Sequence, residues 1–313
     1  MTQYRFLQLD VFTDHAFSGN PLAVFPEAEG LSDEVMMKIA REMNLSETVF
    51  VLNSDNPDVL RRLRIFTPAR EIPFAGHPIV GTWNALAREG VVPLPEGGNG
   101  WQRIHHEVGI GVLPVDIEFK DGQPVQVVMT QGKFKILNEV DDGHDQAEVA
   151  RALGLAREDL DESLPIQVIT TGLSCMAVPI RSLADLKSCR VNGTLLAEIY
   201  TRKGAAGCLA FTRETIEIGA SRAHARFFAP ADNIPEDPAT GSACGALGAY
   251  LVHHGALSLE PASDGRFKFV IEQGDFIHRP SRINLDVKGG PQAVEEVKVG
   301  GSSVLVAKGE VIF

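Results

Sequence analysis

The sequence predicts an α+β protein made of two similar domains, and three observations carry that expectation. The first is an internal repeat. Aligned without gaps at an offset of 162, positions 64–73 match positions 226–235 at Arg64/Arg226, Phe66/Phe228, Pro68/Pro230, Ala69/Ala231, Ile72/Ile234 and Pro73/Pro235. The second is that each copy runs into a glycine loop opening an apolar helix, where the register slips slightly. The third is the run of alternating, strand-like segments set off by turn residues on both sides of those helices. A chain of 313 residues with 44% apolar content is long enough for two ordinary domains with sizeable cores.

In chain order, Tyr4-Arg5-Phe6-Leu7-Gln8-Leu9-Asp10-Val11-Phe12 alternates as a strand does. Gly19-Asn20-Pro21 is a turn, and Leu22-Ala23-Val24-Phe25 reads as the returning strand of a β-meander. Ser32 before Asp33 and Glu34 marks a helix N-cap with an acidic first turn, and Leu31, Val35, Ile39 and Met43 recur on one face of a helix ending near Asn44. Glu47 then stands at the mouth of a β-branched strand. The strand Leu63-Arg64-Ile65-Phe66 leads into the repeated motif, after which Pro78 suits the first position of a helix, with His77 at or beside its N-cap. That helix carries Ile79, Val80, Trp83, Leu86 and Ala87 and stops at Gly90; apolar on most sides, it is expected to be buried and cradled by its own sheet. Strands are expected near 101–107, 111–119 and 125–130. The domains are placed at 1–125 and 126–300, with a last strand near 301–313 that could pair back with the first.

The second half repeats the plan with added helices near 146–153 and 195–203. Thr170-Thr171-Gly172-Leu173-Ser174 through Val178 takes the place of 19–24, and 208–211 and 225–228 read as strands. Asp237-Pro238-Ala239-Thr240-Gly241-Ser242 then opens the small, apolar helix 243–251, which Gly255 ends.

Composition excludes several classes. A net charge of −12 without a basic block repels nucleic acid and anionic membrane surfaces. The N-terminus is neither a signal peptide nor an apolar span, so a cytoplasmic protein with no membrane partner is expected. Cys175, Cys189, Cys208 and Cys244 lack metal or disulfide spacing and read as small buried residues. No dinucleotide fingerprint is present.

Two helices opening at glycine loops each present unpaired backbone N–H groups and a partial positive charge, which together would bind a small carboxylate. The bland alternative is tight helix packing. His77 and Ser242 can equally be caps, Asp237 sits before a proline, and the only other acids in the loops are Glu71 and Glu236. The residues alone choose no general acid or base.

Asn44-Leu45-Ser46-Glu47-Thr48-Val49-Phe50-Val51, then Phe66-Thr67-Pro68 with Phe74-Ala75-Gly76-His77-Pro78-Ile79-Val80-Gly81, then Glu236-Asp237-Pro238-Ala239-Thr240-Gly241-Ser242-Ala243, together resemble the PhzF-like isomerase family of phenazine biosynthesis. The resemblance runs over nearly the whole chain. It implies a diaminopimelate-epimerase-like fold, two pseudo-symmetric domains that each wrap a mostly antiparallel sheet around a central helix, with the site in the interdomain cleft. It also implies a homodimer. Carried over by position, Glu47 becomes the catalytic acid/base with His77 and Asp237 beside it, and Ser46, Gly76, Gly241 and Ser242 bind the substrate. The implied chemistry moves a proton on a small anionic substrate with no metal and no organic cofactor. A free carboxyl of pKa about 4.3 is too weak a base for an ordinary C–H, so burial and substrate activation must help. The alternatives are an amino-acid racemase or epimerase of the same fold, whose two cysteines find only Cys244 here, and a small-molecule-binding or interaction protein without turnover.

Overall fold

The structure, a computed structural model, describes residues 2–313. The chain divides into two compact units, Met1–Thr130 with Gly300–Phe313, and Gln131–Val299.

In the first unit β1 (Gln3–Val11) and β2 (Asn20–Phe25) form an antiparallel pair with Leu7 opposite Val24. Helix α1 (Asp33–Met43) begins where the Ser32 side chain accepts a hydrogen bond from the Val35 N–H, and it ends at Asn44 in the left-handed region, φ 50°. Met36, Ile39 and Ala40 bury its inner face against Phe25, Phe50 and Phe66. The meander expected after β2 does not continue. Because α1 carries the chain back along the sheet, β3 (Glu47–Leu52) lies parallel to β2, with Leu22 opposite Glu47. Antiparallel pairing resumes with β4 (Arg61–Phe66) and the short β5 (Glu71–Ile72). Helix α2 (Gly76–Arg88) follows, then β6 (Gly100–Val108), β7 (Gly111–Lys120) and β8 (Gln123–Thr130) as consecutive antiparallel strands. The C-terminal strand, Ser303–Ile312, pairs antiparallel with β1.

Every residue of α2 from Gly76 to Ala87 is buried, and the helix packs on β1, β2, β3, β8 and the C-terminal strand. Its approach is set by Gly81, where a Cβ would lie 2.6 Å from both a Leu22 and a Val11 methyl carbon. Gly90, at φ 77°, follows the end of the helix.

The second unit runs β9 (Lys135–Val140), α3 (Gly143–Leu153), β10 (Ile166–Thr170), β11 (Ser174–Pro179), α4 (Leu183–Ser188), α5 (Gly193–Arg202), β12 (Cys208–Thr212), β13 (Ser221–Ala229), β14 (Ile234–Asp237), α6 (Gly241–His253), β15 (Arg266–Gln273), β16 (Ser281–Gly290) and β17 (Ala293–Gly301). Its pairing repeats that of the first unit. An antiparallel pair (β10, β11) is followed by a helical crossover to a parallel strand (β12), then an antiparallel return (β13), and β13 runs parallel to β15 as β4 does to β6. Helix α6 takes the place of α2, buried on nearly all sides against β10, β11, β15 and β16.

The matched arginines of the repeat have the same physical task in both units. Arg64 makes two hydrogen bonds to the Glu71 carboxylate, 2.8 and 2.6 Å, and lies over the Phe66 ring. Arg226 does the same with Glu236, 2.9 and 2.7 Å, over Phe228. Glu71 and Glu236, open candidates for acid/base work on sequence alone, are therefore structural partners of arginines. All four cysteines are buried and unpaired.

Candidate active site

Four of the α-helices begin with a side-chain cap: Ser32 on α1, Asp142 on α3, Ser182 on α4 and Asn192 on α5. Helices α2 and α6 do not. Their N-cap residues, Ala75 and Thr240, make no side-chain cap bond, and neither helix has an acid in its first turn. The two helix starts that the repeat leads into thus carry no capping side chain and no first-turn acid, which leaves their positive ends uncompensated by such groups.

The helices begin earlier than the glycine loops suggest. Gly76 and Gly241 are the first helical residues, so His77 and Ser242 occupy second positions and neither is a cap. Pro78 falls at the third position, where its missing N–H is still one that no helical carbonyl would meet.

In the first unit, Glu47 opens β3 and His77 lies in the first turn of α2, and the fold brings them together. Glu47 Oε2 stands 3.5 Å from His77 Nε2, with the side chains 15% and 6% exposed. Burial pulls the His77 pKa down to about 3, against which a hydrogen bond donated to the Pro21 carbonyl acts in the other direction. His77 is consequently a neutral imidazole at ordinary pH. With its proton committed to Pro21, the nitrogen facing Glu47 presents a lone pair. Ser46, half-buried, donates to the Asn20 side chain, 3.2 Å, tying the residue before Glu47 to the β1–β2 turn.

In the second unit, Asp237 ends β14 and is 8% exposed. Its Oδ2 accepts a hydrogen bond from the Thr240 hydroxyl, 2.5 Å, and its carbonyl accepts one from Gln273 Nε2, 2.7 Å. Gly241 is buried, and its carbonyl accepts from Gln131 Nε2 at 3.1 Å. Ser242 is half-buried, and its carbonyl accepts from the Thr171 hydroxyl at 3.4 Å. Cys244 is one helical turn inward. Its thiol donates to Gln273 Oε1, 3.2 Å, and burial, reinforced by the neighbouring Cys175 and Asp237, pushes its pKa well up. It is a buried, hydrogen-bonded thiol.

Sequence reasoning missed Asn20, Pro21, Gln131, Thr171, Thr240 and Gln273 as supports. Asn20 and Pro21 were visible only as turn residues, and no local pattern marks the two glutamines. Among the described residues no cluster of His, Cys, Asp and Glu is arranged to hold a metal ion. Among the same residues no helix is long and apolar enough to cross a membrane.

Residues 9–309 match the family model for phenazine biosynthesis-like proteins. An uncharacterised isomerase of Clostridium acetobutylicum is 37% identical over 99% of both chains. The chain belongs to the phenazine biosynthesis-like family. Within this family, the trans-2,3-dihydro-3-hydroxyanthranilate isomerase of Pseudomonas aeruginosa is 34% identical over 98% of both chains. A crystal structure of a Bacillus anthracis protein of the PhzF family superposes with a TM-score of 0.87 at 29% identity, covering 100% of both chains. A structure described as a probable proline racemase from Agrobacterium radiobacter, at 13% identity, 99% and 93% coverage and a TM-score of 0.65, shows the wider fold. The protein is therefore an isomerase of the PhzF type with a diaminopimelate-epimerase-like α+β fold.

Proposed function

We propose that this isomerase moves a proton between two positions of a small carboxylate-bearing substrate, with Glu47 as the single acid/base and without a metal or organic cofactor. The observation that carries the reading is the Glu47–His77 pair at the uncapped start of α2. There, one carboxyl sits beside an uncharged imidazole and next to N–H groups able to hold the substrate's own carboxylate. The spacing of 3.5 Å is longer than a hydrogen bond, as catalytic contacts often are before the ligand arrives. Asp237, Gly241 and Ser242 are assigned to the same substrate on the strength of the repeat, Asp237 polarising a heteroatom and the α6 start adding donors. General acid/base action supplies roughly 10²- to 10⁴-fold; fixed N–H dipoles and orientation must supply the rest.

The relatives named as trans-2,3-dihydro-3-hydroxyanthranilate isomerases make that compound the first substrate to try. The two-thiol racemase alternative loses support from Cys244, whose proton is committed to Gln273.

Incubation in D₂O with that compound and a panel of unsaturated or hydroxylated amino and carboxylic acids, followed by NMR or mass spectrometry, tests the reading. Wild type and Cys244→Ala should incorporate deuterium, and Glu47→Gln should lose at least ~10³-fold in rate. Exchange that survives Glu47→Gln and disappears in Cys244→Ala would return the protein to thiol chemistry. Tight binding of a panel member with no exchange would make it a binding protein.

A further inference from the structure

Gln273, at the end of β15, is fully buried and uses every hydrogen-bonding position of its side-chain amide. Its Nε2 donates to the Asp237 carbonyl at 2.7 Å and to the Thr240 hydroxyl oxygen at 3.1 Å. Its Oε1 accepts from the Thr240 N–H at 3.1 Å and from the Cys244 thiol at 3.2 Å. Two donors are thus satisfied by two acceptors and two acceptor sites by two donors, which is the whole capacity of the group. Turning the amide over would set its nitrogen against an N–H and its oxygen against a carbonyl, so only one orientation is available.

That orientation determines where the Thr240 proton goes. The hydroxyl oxygen already accepts from Gln273, and the acceptor in reach of its own proton is Asp237 Oδ2 at 2.5 Å. We infer that Gln273 and Thr240 are positioning residues for the reaction: Gln273 makes the Thr240 hydroxyl an obligatory donor, and that donor holds the Asp237 carboxyl in one rotamer at the start of α6. The inference rests on the role given to Asp237 above. Chains of this kind polarise link by link, and a donor to a carboxylate favours its ionised form. Gln273 also holds the loop from both ends, at the Asp237 carbonyl and the Thr240 N–H, so Thr240 and Gly241 cannot drift from the carboxylate they serve.

The test compares Thr240→Val, Thr240→Ser and Gln273→Ala with wild type in the deuterium-exchange assay, and follows the Asp237 carboxyl by ¹³C NMR titration without substrate. Thr240→Val should lower kcat at least ~10-fold with KM within about threefold, and Thr240→Ser should recover to within about twofold. In an Asp237→Asn background, Thr240→Val should cost nothing further, because it acts through that carboxylate. The Asp237 titration midpoint should move to higher pH in Thr240→Val and Gln273→Ala, and stay in place in Thr240→Ser. An unmoved midpoint in Thr240→Val overturns the relay whatever the enzyme acts on, as does an additive loss in the double variant. Wild type that exchanges nothing defeats the functional reading instead, and a shifted midpoint would still establish the relay.

Discussion

His106 offers the most direct link between a buried group and the behaviour of the whole molecule. It lies on β6 at 1% exposure beside Trp83, ring centroids 5.8 Å apart, and neither ring nitrogen has a hydrogen-bond partner. Burial first, and the charge of His105 second, pull its pKa down to about 4. The direction sets the sign: a proton that the unfolded chain accepts near pH 6.5 is refused by the fold, so stability is intact above that pH and drains away as pH falls toward 4. At pH 5 the unfolded imidazole is mostly charged and the folded one mostly neutral, and the difference amounts to about 2 kcal/mol. Replacing His106 with Phe keeps a ring against Trp83, sacrifices no hydrogen bond and removes the proton site. Urea unfolding of wild type and His106→Phe at pH 7.5 and 5.0 reads the effect as a difference of differences. Any packing cost of the larger ring is the same at both pH values, and the depressed His77 contributes equally to both proteins. The variant should lose about 2 kcal/mol less than wild type on acidification. Equal losses would refute the reasoning, because they would mean that His106 takes up its proton as easily in the fold as out of it.

Two further outcomes are expected. Arg226→Lys should lower stability by roughly 2–4 kcal/mol in thermal or urea unfolding, because an ammonium cannot reproduce the paired contacts to Glu236 or the stacking on Phe228 and Phe276 in a site where both partners are almost buried. In Gly245→Ala, the new methyl would lie 2.6 Å from Gln131 Cδ and 2.7 Å from a Val299 methyl carbon, costing about 1–3 kcal/mol. It would also displace Gln131 from the Gly241 carbonyl, so exchange activity should fall along with the melting temperature.

Local chemistry was legible wherever a residue acts on its own neighbours. Ser32 caps α1 three residues before the amide it accepts from, Asn44 ends that helix in a conformation few other residues tolerate, and Gly90 and Gly255 close α2 and α6 with positive φ. The identities of the repeat were legible for the same reason, since each arginine, its ring and its glutamate lie within a few residues of one hairpin. Glu47 and His77 could be singled out through the motifs they stand in.

Their meeting could not, because 29 residues, nearly all strand and turn, separate 47 from 77, and only pairing of β2 with β3 and docking of α2 on that sheet close the distance to 3.5 Å. Helix starts were misread by a residue or two because the capping position is defined by backbone conformation: Ala75 and Thr240 take it although neither contributes a cap bond. The return of residues 303–312 to β1 is a pairing across almost the full length of the chain, which no window of sequence records. By itself the sequence determined the periodicity, the caps, the duplicated plan and the family. Tertiary structure alone decided which polar groups share a buried neighbourhood. It buried His77 and so made it neutral, turned Glu71 and Glu236 into arginine partners, and saturated Gln273. Desolvation and hydrogen-bond saturation depend on everything packed around a group, and the residues that pack there come from all along the chain.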